Sequence, residues 1–224
     1  MAEVRSPKRE AGTLISTPLY VICDADVCRR AGWTLIDFAS ACLDGGATLL
    51  QVRAKHEPSG RLLDDTRAIV ERASADAQVI VNDRADVARL VGAAGVHVGQ
   101  EDLAPAEVRS ILGEHAIVGR STHTPAQLDA ALAEPISYVA IGPVFATSTK
   151  SSGYEALGVA PVREAARRAS AHRMPLVAIG GITLDRAEAV LEQGAASVAV
   201  IGDLLVTNDP QARVRAYLHR LSRL

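Results

Sequence analysis

Eight short apolar runs, each followed by an Ala-rich amphipathic stretch, divide this 224-residue chain into repeated strand-then-helix units. The runs fall at 18–23, 48–53, 78–81, 95–98, 116–119, 138–141, 175–179 and 197–201. Most are continuous in apolar character rather than alternating, the pattern of parallel strands covered on both faces. Helix signals stand between them. Thr124-Pro125 reads as an N-cap with proline at the first helical position, and Thr183 opens a stretch that closes at Gly194. Eight alternations in this length point to an α/β chain forming a single-domain (β/α)8 barrel. A doubly wound open sheet is the alternative, and it needs fewer strands or a longer chain.

The barrel expectation leaves residues 1–14, polar and charged, as an N-terminal tail and assigns 15–224 to one barrel domain. The formal charge of −2 implies no general attraction to nucleic acid or anionic membrane, so anion binding must come from local placement. No apolar run reaches membrane-spanning length and no signal-peptide core is present. Cys23, Cys28 and Cys42 are odd in number and lack zinc-site spacing, which reads as small buried thiols in a reducing cytoplasm.

In such a barrel the chemistry gathers at the C-terminal ends of the strands. Strand two ends Gln51-Val52-Arg53-Ala54-Lys55, and alternation puts Gln51, Arg53 and Lys55 on one face, toward the axis. Two cations there need an anion, either carboxylates in an internal ion-pair network or a bound polyanion. Asp83 and Asp102, at the ends of neighbouring strands three and four, offer hard oxygen ligands suited to Mg²⁺; the alternative is that one or both cap the following helix. Ser121 reads as a substrate hydrogen-bonder or a turn hydroxyl, and His123 as a general base or a structural residue before a helix cap. Gly180-Gly181 after strand seven and Gly202 after strand eight let backbone N–H groups approach a phosphate, a recurring barrel feature. The hydroxyl-rich run Thr147-Ser148-Thr149-Lys150 follows strand six and suits a phosphorylated ligand.

Taken in order, Gln51-x-Arg53-x-Lys55, Asn82-Asp83-Arg84, the run from Gly95 to Asp102, Ser121, Gly142-Pro143 through Thr147-x-Thr149-Lys150, and Ile179-Gly180-Gly181-Ile182 resemble the thiamine-phosphate synthase family. The resemblance implies a TIM barrel that joins 4-amino-5-hydroxymethyl-2-methylpyrimidine diphosphate to 4-methyl-5-(2-phosphoethyl)thiazole, releasing pyrophosphate and forming thiamine phosphate. It implies that the pyrimidine diphosphate is bound by the run from Gln51 to Lys55, Val52 and Ala54 included, with Asn82, Ser121 and Lys150. It implies Mg²⁺ on Asp83 and Asp102, and a thiazole phosphate held by Thr147, Thr149, Gly181, Ile201 and Gly202, with Ser148 between the two threonines counted among the substrate-binding residues. Arg53, Lys55 and Lys150 are its implied catalytic residues, neutralising the departing diphosphate. One departure stands out: the family commonly has Ser where this chain has Gly202, which leaves the backbone N–H but not a hydroxyl. The implied partners are these small molecules, with no nucleic acid and no membrane; a homo-oligomer is compatible with the reading. Two rivals share the barrel: an isomerase of the thiazole phosphate using a His, and a non-catalytic phospho-ligand sensor. Ser151-Ser152-Gly153 supplies backbone freedom for the loop 147–158 to close over ligand.

Overall fold

The structure is a computed structural model that describes residues 17–147 and 153–222. Eight parallel strands close into a barrel in sequence order: β1 Leu19–Asp24, β2 Leu49–Arg53, β3 Gln78–Asn82, β4 Gly95–Val98, β5 Ile117–Thr122, β6 Tyr138–Ile141, β7 Leu176–Ile179 and β8 Ser197–Val200. The outer layer comprises α1 Ala25–Arg30, α2 Leu35–Asp44, α3 Ser59–Arg72, α4 Ala85–Val91, α5 Pro105–Leu112, α6 Pro125–Leu132, α7 Ala160–Ala171, α8 Leu184–Leu191 and α9 Pro210–Leu221. The expected tail 1–14, Ser148, Thr149, Lys150 and most of the Ser151-Ser152-Gly153 stretch lie outside the described residues.

Strand bounds match the apolar runs closely, and β4 and β6 match them to the residue. The main difference is β5, which runs three residues past Gly119 to Thr122. The polar residues past Gly119 stay in the strand, and their side chains find partners on the neighbouring chain segments. Arg120 donates to the Gly99 carbonyl (2.7 Å) and Thr122 Oγ1 to that of Ala140 (2.9 Å). A further difference is α1, a short helix inside the first unit. Asp24 caps it, accepting from the N–H groups of Asp26 and Val27. Thr124 caps α6 as expected, accepting from Gln127 N–H, whereas Thr183 precedes α8 without a side-chain capping bond.

The core has two shells. Alternate strand residues such as Leu19, Val21, Leu50, Val52, Val81, Val96 and Val139 face the helices, and that shell holds most of the buried aliphatic surface. Tyr20, Ile22, Leu49, Ile80, Ile117, Tyr138, Ala140, Val177 and Ala199 fill the barrel's interior. Glycine is required at two inward positions. A Cβ on Gly95 would fall 1.8 Å from the Ile117 carbonyl oxygen, and one on Gly119 would fall 2.1 Å from the Tyr138 ring. All three cysteines are buried and free, and burial pushes their thiols up, Cys28 to about 12 with Asp24 adding to the effect. They are therefore core residues and poor nucleophiles. Among the described residues no helix is long and apolar enough to cross a membrane.

Candidate active site

The C-terminal mouth of the barrel opens into two adjoining cavities. The smaller, of ≈ 70 Å³, lies on the axis and is lined by Gln51, Arg53, Asn82, His97 and Ser121 with Asp24 and interior aliphatic residues. The larger, of ≈ 360 Å³, lies over β5 to β8 and is lined by Thr147, Gly181, Ile201 and Gly202 among others. Ser121, Ile179, Ala199 and Ile201 line both, so they form the boundary between them.

Strand alternation explains the axial cavity. Gln51 and Arg53 are inward on β2, Asn82 is inward on β3, His97 on β4 and Ser121 on β5. Val52 and Ala54, by the same alternation, have their side chains in the helix-facing shell. Their side chains are thus turned from the cavity, and any part they take in binding falls to the backbone.

Both cations of the β2 end are already matched by carboxylates. Arg53 pairs with Asp24, its register partner on β1, and Lys55 Nζ lies 2.9 Å from Asp83 Oδ2. The internal ion-pair arrangement is therefore present. It does not exclude anion binding, because Lys55 and Asp83 stay partly exposed at the mouth. Asp24 is a partner that sequence reasoning missed, though it could have been found: Tyr20, Ile22 and Asp24 alternate inward, and β1 neighbours β2.

Asp83 and Asp102 do meet. Burial pushes the Asp83 carboxyl above its usual range, a side-chain hydrogen bond with Asp102 pushes it the same way, and Lys55 opposes both. Neither aspartate's side chain caps a helix: the N-caps of α4 and α5 are Arg84 and Ala104. Asp102 instead accepts from Gly99 N–H (2.7 Å), closing the loop after β4. Asp83 has a left-handed backbone (φ 63°), and its N–H donates to the His97 carbonyl (2.9 Å). An unfavourable φ held by the sheet at a strand end is a feature of functional positions.

Ser121 is not a turn residue. Its Oγ is 2.7 Å from His97 Nε2, and His97 Nδ1 is 2.8 Å from the Tyr138 hydroxyl. His123 lines the larger cavity, with Nδ1 2.6 Å from the Gly142 carbonyl and its ring stacked on Tyr154 at 4.2 Å. Since a carbonyl only accepts, that nitrogen carries the proton and holds the ring in place.

Two further residues of the larger cavity escaped the sequence reading. Arg186, in the first turn of α8, donates to the Gly181 carbonyl (3.1 Å) and lies over the Phe145 ring (4.6 Å). Asp203 accepts from Leu184 N–H, from Arg213 through two nitrogens, and from the Tyr217 hydroxyl at 2.6 Å. It ties the loop after β8 to both α8 and α9, and only 9 % of its side chain is exposed. Asp203→Ala would strand the Arg213 charge and the Tyr217 hydroxyl. A loss of about 3 kcal/mol is expected, read as a lower urea midpoint at unchanged slope.

A family model described as thiamine monophosphate synthase matches residues 19–204, most of the chain. The chain belongs to this family. Among its relatives, the thiamine-phosphate synthase of Koribacter versatilis is 42 % identical over 205 residues, covering 91 % of this chain and 95 % of the relative. That of Anaeromyxobacter dehalogenans is 47 % identical over 174 residues, 78 % of this chain and 77 % of the relative. In three dimensions the chain is similar to a thiamine phosphate pyrophosphorylase from Pyrococcus furiosus. The TM-score is 0.82 at 28 % identity, covering 95 % of this chain and 98 % of the other. The family match spans all eight strands, from β1 to the start of the loop after β8.

Proposed function

We propose that this chain is a thiamine-phosphate synthase, a transferase that couples 4-amino-5-hydroxymethyl-2-methylpyrimidine diphosphate to 4-methyl-5-(2-phosphoethyl)thiazole. The observation that carries the reading is the meeting of the two cavities at Ser121 and Ile201. The axial one offers Gln51, Asn82 and Ser121 to a flat polar ring, with Arg53, Lys55 and the paired aspartates above it. The other presents Thr147, Gly181, Ile201 and Gly202 to the thiazole phosphate. Two reactants so placed face each other across a shared wall, which removes most of the entropic cost of their encounter.

The pyrimidine methylene loses its diphosphate, and the thiazole nitrogen attacks the carbon that remains. That nitrogen carries no proton, so the step needs positioning and charge stabilisation rather than a general base or protein nucleophile. Arg53 and Lys55 supply positive charge as the C–O bond lengthens; Lys150 is assigned the same part from its place in the sequence. Thr149 joins Thr147 on the thiazole phosphate by the same argument, and Ser148 between them is assigned to substrate binding. Asp83 and Asp102 fit a Mg²⁺ ion: two adjacent carboxylates only partly offset by Lys55 are relieved by a divalent cation, which completes its shell with waters and substrate oxygens. Among the described residues no group of three or more His, Cys, Asp or Glu gathers as a metal site. When bound, Mg²⁺ would supply further positive charge to the leaving diphosphate.

The test is an assay with both substrates and Mg²⁺ that follows thiamine phosphate and pyrophosphate together. No product above background across Mg²⁺ concentrations would sink the assignment. Chelation with EDTA is expected to abolish turnover, and added Mg²⁺ to restore it; full activity in the chelator would remove the metal from the scheme. We assign the enzyme to the cytoplasm, with residues 15–224 as the catalytic barrel behind a short tail; sedimentation would measure whether the chain is a monomer or a homo-oligomer.

A further inference from the structure

A chain of hydrogen bonds crosses the barrel interior beneath the axial cavity. Gln51 Nε2 donates to the Tyr20 hydroxyl (2.9 Å), and the Tyr20 and Tyr138 hydroxyls are 2.9 Å apart. Tyr138 reaches His97 Nδ1 (2.8 Å), and His97 Nε2 reaches Ser121 Oγ (2.7 Å). Tyr20 and Tyr138 are both essentially fully buried, so no solvent supplies an alternative partner for either hydroxyl. Each tyrosine has one proton to give, and a neutral imidazole carries one proton on its two nitrogens. With His97 neutral, the bonds run all in one sense or all in the other.

The Gln51 end sets that sense. Because its amide nitrogen donates to Tyr20, the Tyr20 proton points to Tyr138 and the Tyr138 proton to His97 Nδ1. The His97 proton then sits on Nε2 and points to Ser121. Ser121 Oγ is occupied as an acceptor from behind, and its own proton is left to donate forward. At the other end, the Gln51 nitrogen is engaged by Tyr20 and its carbonyl oxygen is the free acceptor of that amide.

We propose that this chain is a directional relay that makes the axial cavity present an acceptor at Gln51 and a donor at Ser121. Tyr20, Tyr138 and His97 are positioning residues in it: they act on the ligand only through the two ends. The chemistry recognised is a planar heterocycle with an exocyclic N–H donor toward Gln51 and an unprotonated acceptor toward Ser121. A 4-aminopyrimidine has that pattern; its 4-oxo counterpart, with a carbonyl and a ring N–H, inverts it. The relay thus sets discrimination between amino and oxo rings, and this ligand assignment rests on the synthase reading above. Gly119 belongs to the same device, since a Cβ there would lie 2.5 Å from His97 Nδ1 and 2.4 Å from the Tyr138 hydroxyl.

Two measurements test it, and they separate the relay from the enzyme assignment. The first is ¹⁵N NMR of the histidine side chains, with His97 assigned by His97→Gln. The expected ring is protonated at Nε2 with Nδ1 as acceptor, whatever the protein's activity; a ring protonated at Nδ1, neutral or cationic, overturns the relay. The second compares the KM of the 4-amino diphosphate with the Ki of the 4-oxo diphosphate in wild type, Tyr138→Phe and Tyr20→Phe. Wild type is expected to favour the amino ring by about 100-fold or more, as sites built to hydrogen-bond a substrate do. Either phenylalanine variant should reduce that preference about tenfold while the KM for the thiazole phosphate stays within twofold. An unchanged preference in a variant that still forms product overturns the proposal. Should Tyr138→Phe fail to fold, Tyr20→Phe breaks the same chain one link closer to Gln51. A wild type that makes no thiamine phosphate would refute the enzyme reading and leave the NMR result to decide the relay.

Discussion

Asp83→Asn is expected to lower kcat/KM for coupling by roughly 100- to 1,000-fold, the scale for removing one group that stabilises developing charge. Its thermal midpoint should be unchanged or higher. The two halves of this expectation have one cause. Burial and the hydrogen bond with Asp102 hold the Asp83 carboxyl above its usual range, so its negative charge is a cost to the ligand-free fold that Lys55 only partly offsets. Asn removes that charge, keeps an oxygen for Lys55, and tolerates the left-handed backbone at φ 63° as well as Asp does. What it cannot do is supply a carboxylate to a divalent cation. His123→Ala is the contrast, expected to cost less than tenfold, because its Nδ1 is engaged by the Gly142 carbonyl and the reaction has no proton for a base to remove. Steady-state kinetics and a melting curve on both variants check this. Loss of turnover in His123→Ala with Asp83→Asn still active would favour the isomerase alternative.

Gly119→Ala is expected to be the more damaging change to the fold. The added carbon would sit 2.1 Å from Tyr138 Cζ and 2.4 Å from its hydroxyl, and neither neighbour can give way. Tyr138 is fully buried, packed edge-on against Tyr20 at 5.9 Å and stacked on His97 at 5.5 Å. Moving it breaks the hydrogen bonds to both. Overpacking of a core costs about 1–3 kcal/mol and sometimes more, and two buried hydroxyl contacts are lost with it. A loss of roughly 3 kcal/mol lowers the thermal midpoint by about 6–12 °C in a chain of this size. Calorimetry showing a midpoint within about 2 °C of wild type would mean that the Tyr138 ring has room that this packing does not provide. Any folded fraction should also have lost preference for the amino ring, because Ser121 is held through His97.

The barrel was legible because its signal is local. A parallel strand between two layers must be apolar on both faces, and β4 and β6 announce themselves by that alone. The inward direction of Gln51 and Arg53, and the turning away of Val52 and Ala54, follow from alternation along one strand. The polar end of β5 was legible only in part: what satisfies it there are the carbonyls of Gly99, just past β4, and of Ala140 on β6, which accept from Arg120 and Thr122. Helix α1 was missed for a similar reason, since six residues carry little periodicity and its cap is an aspartate that also pairs with Arg53.

The amino-acid sequence by itself determined the number and order of the strands, the inward face of Gln51, Arg53 and Lys55, and the strand ends at which chemistry gathers. Those are consequences of backbone period and burial within a few residues. Only the tertiary structure decided the pairings: Arg53 with Asp24, Lys55 with Asp83, and Gln51 joined to Ser121 through Tyr20, Tyr138 and His97. Tyr20 and Tyr138 are 118 residues apart in sequence and meet only because eight strands close with one register. A hydrogen bond is decided at 3 Å, and no local pattern carries information at that distance between strands on opposite sides of a barrel.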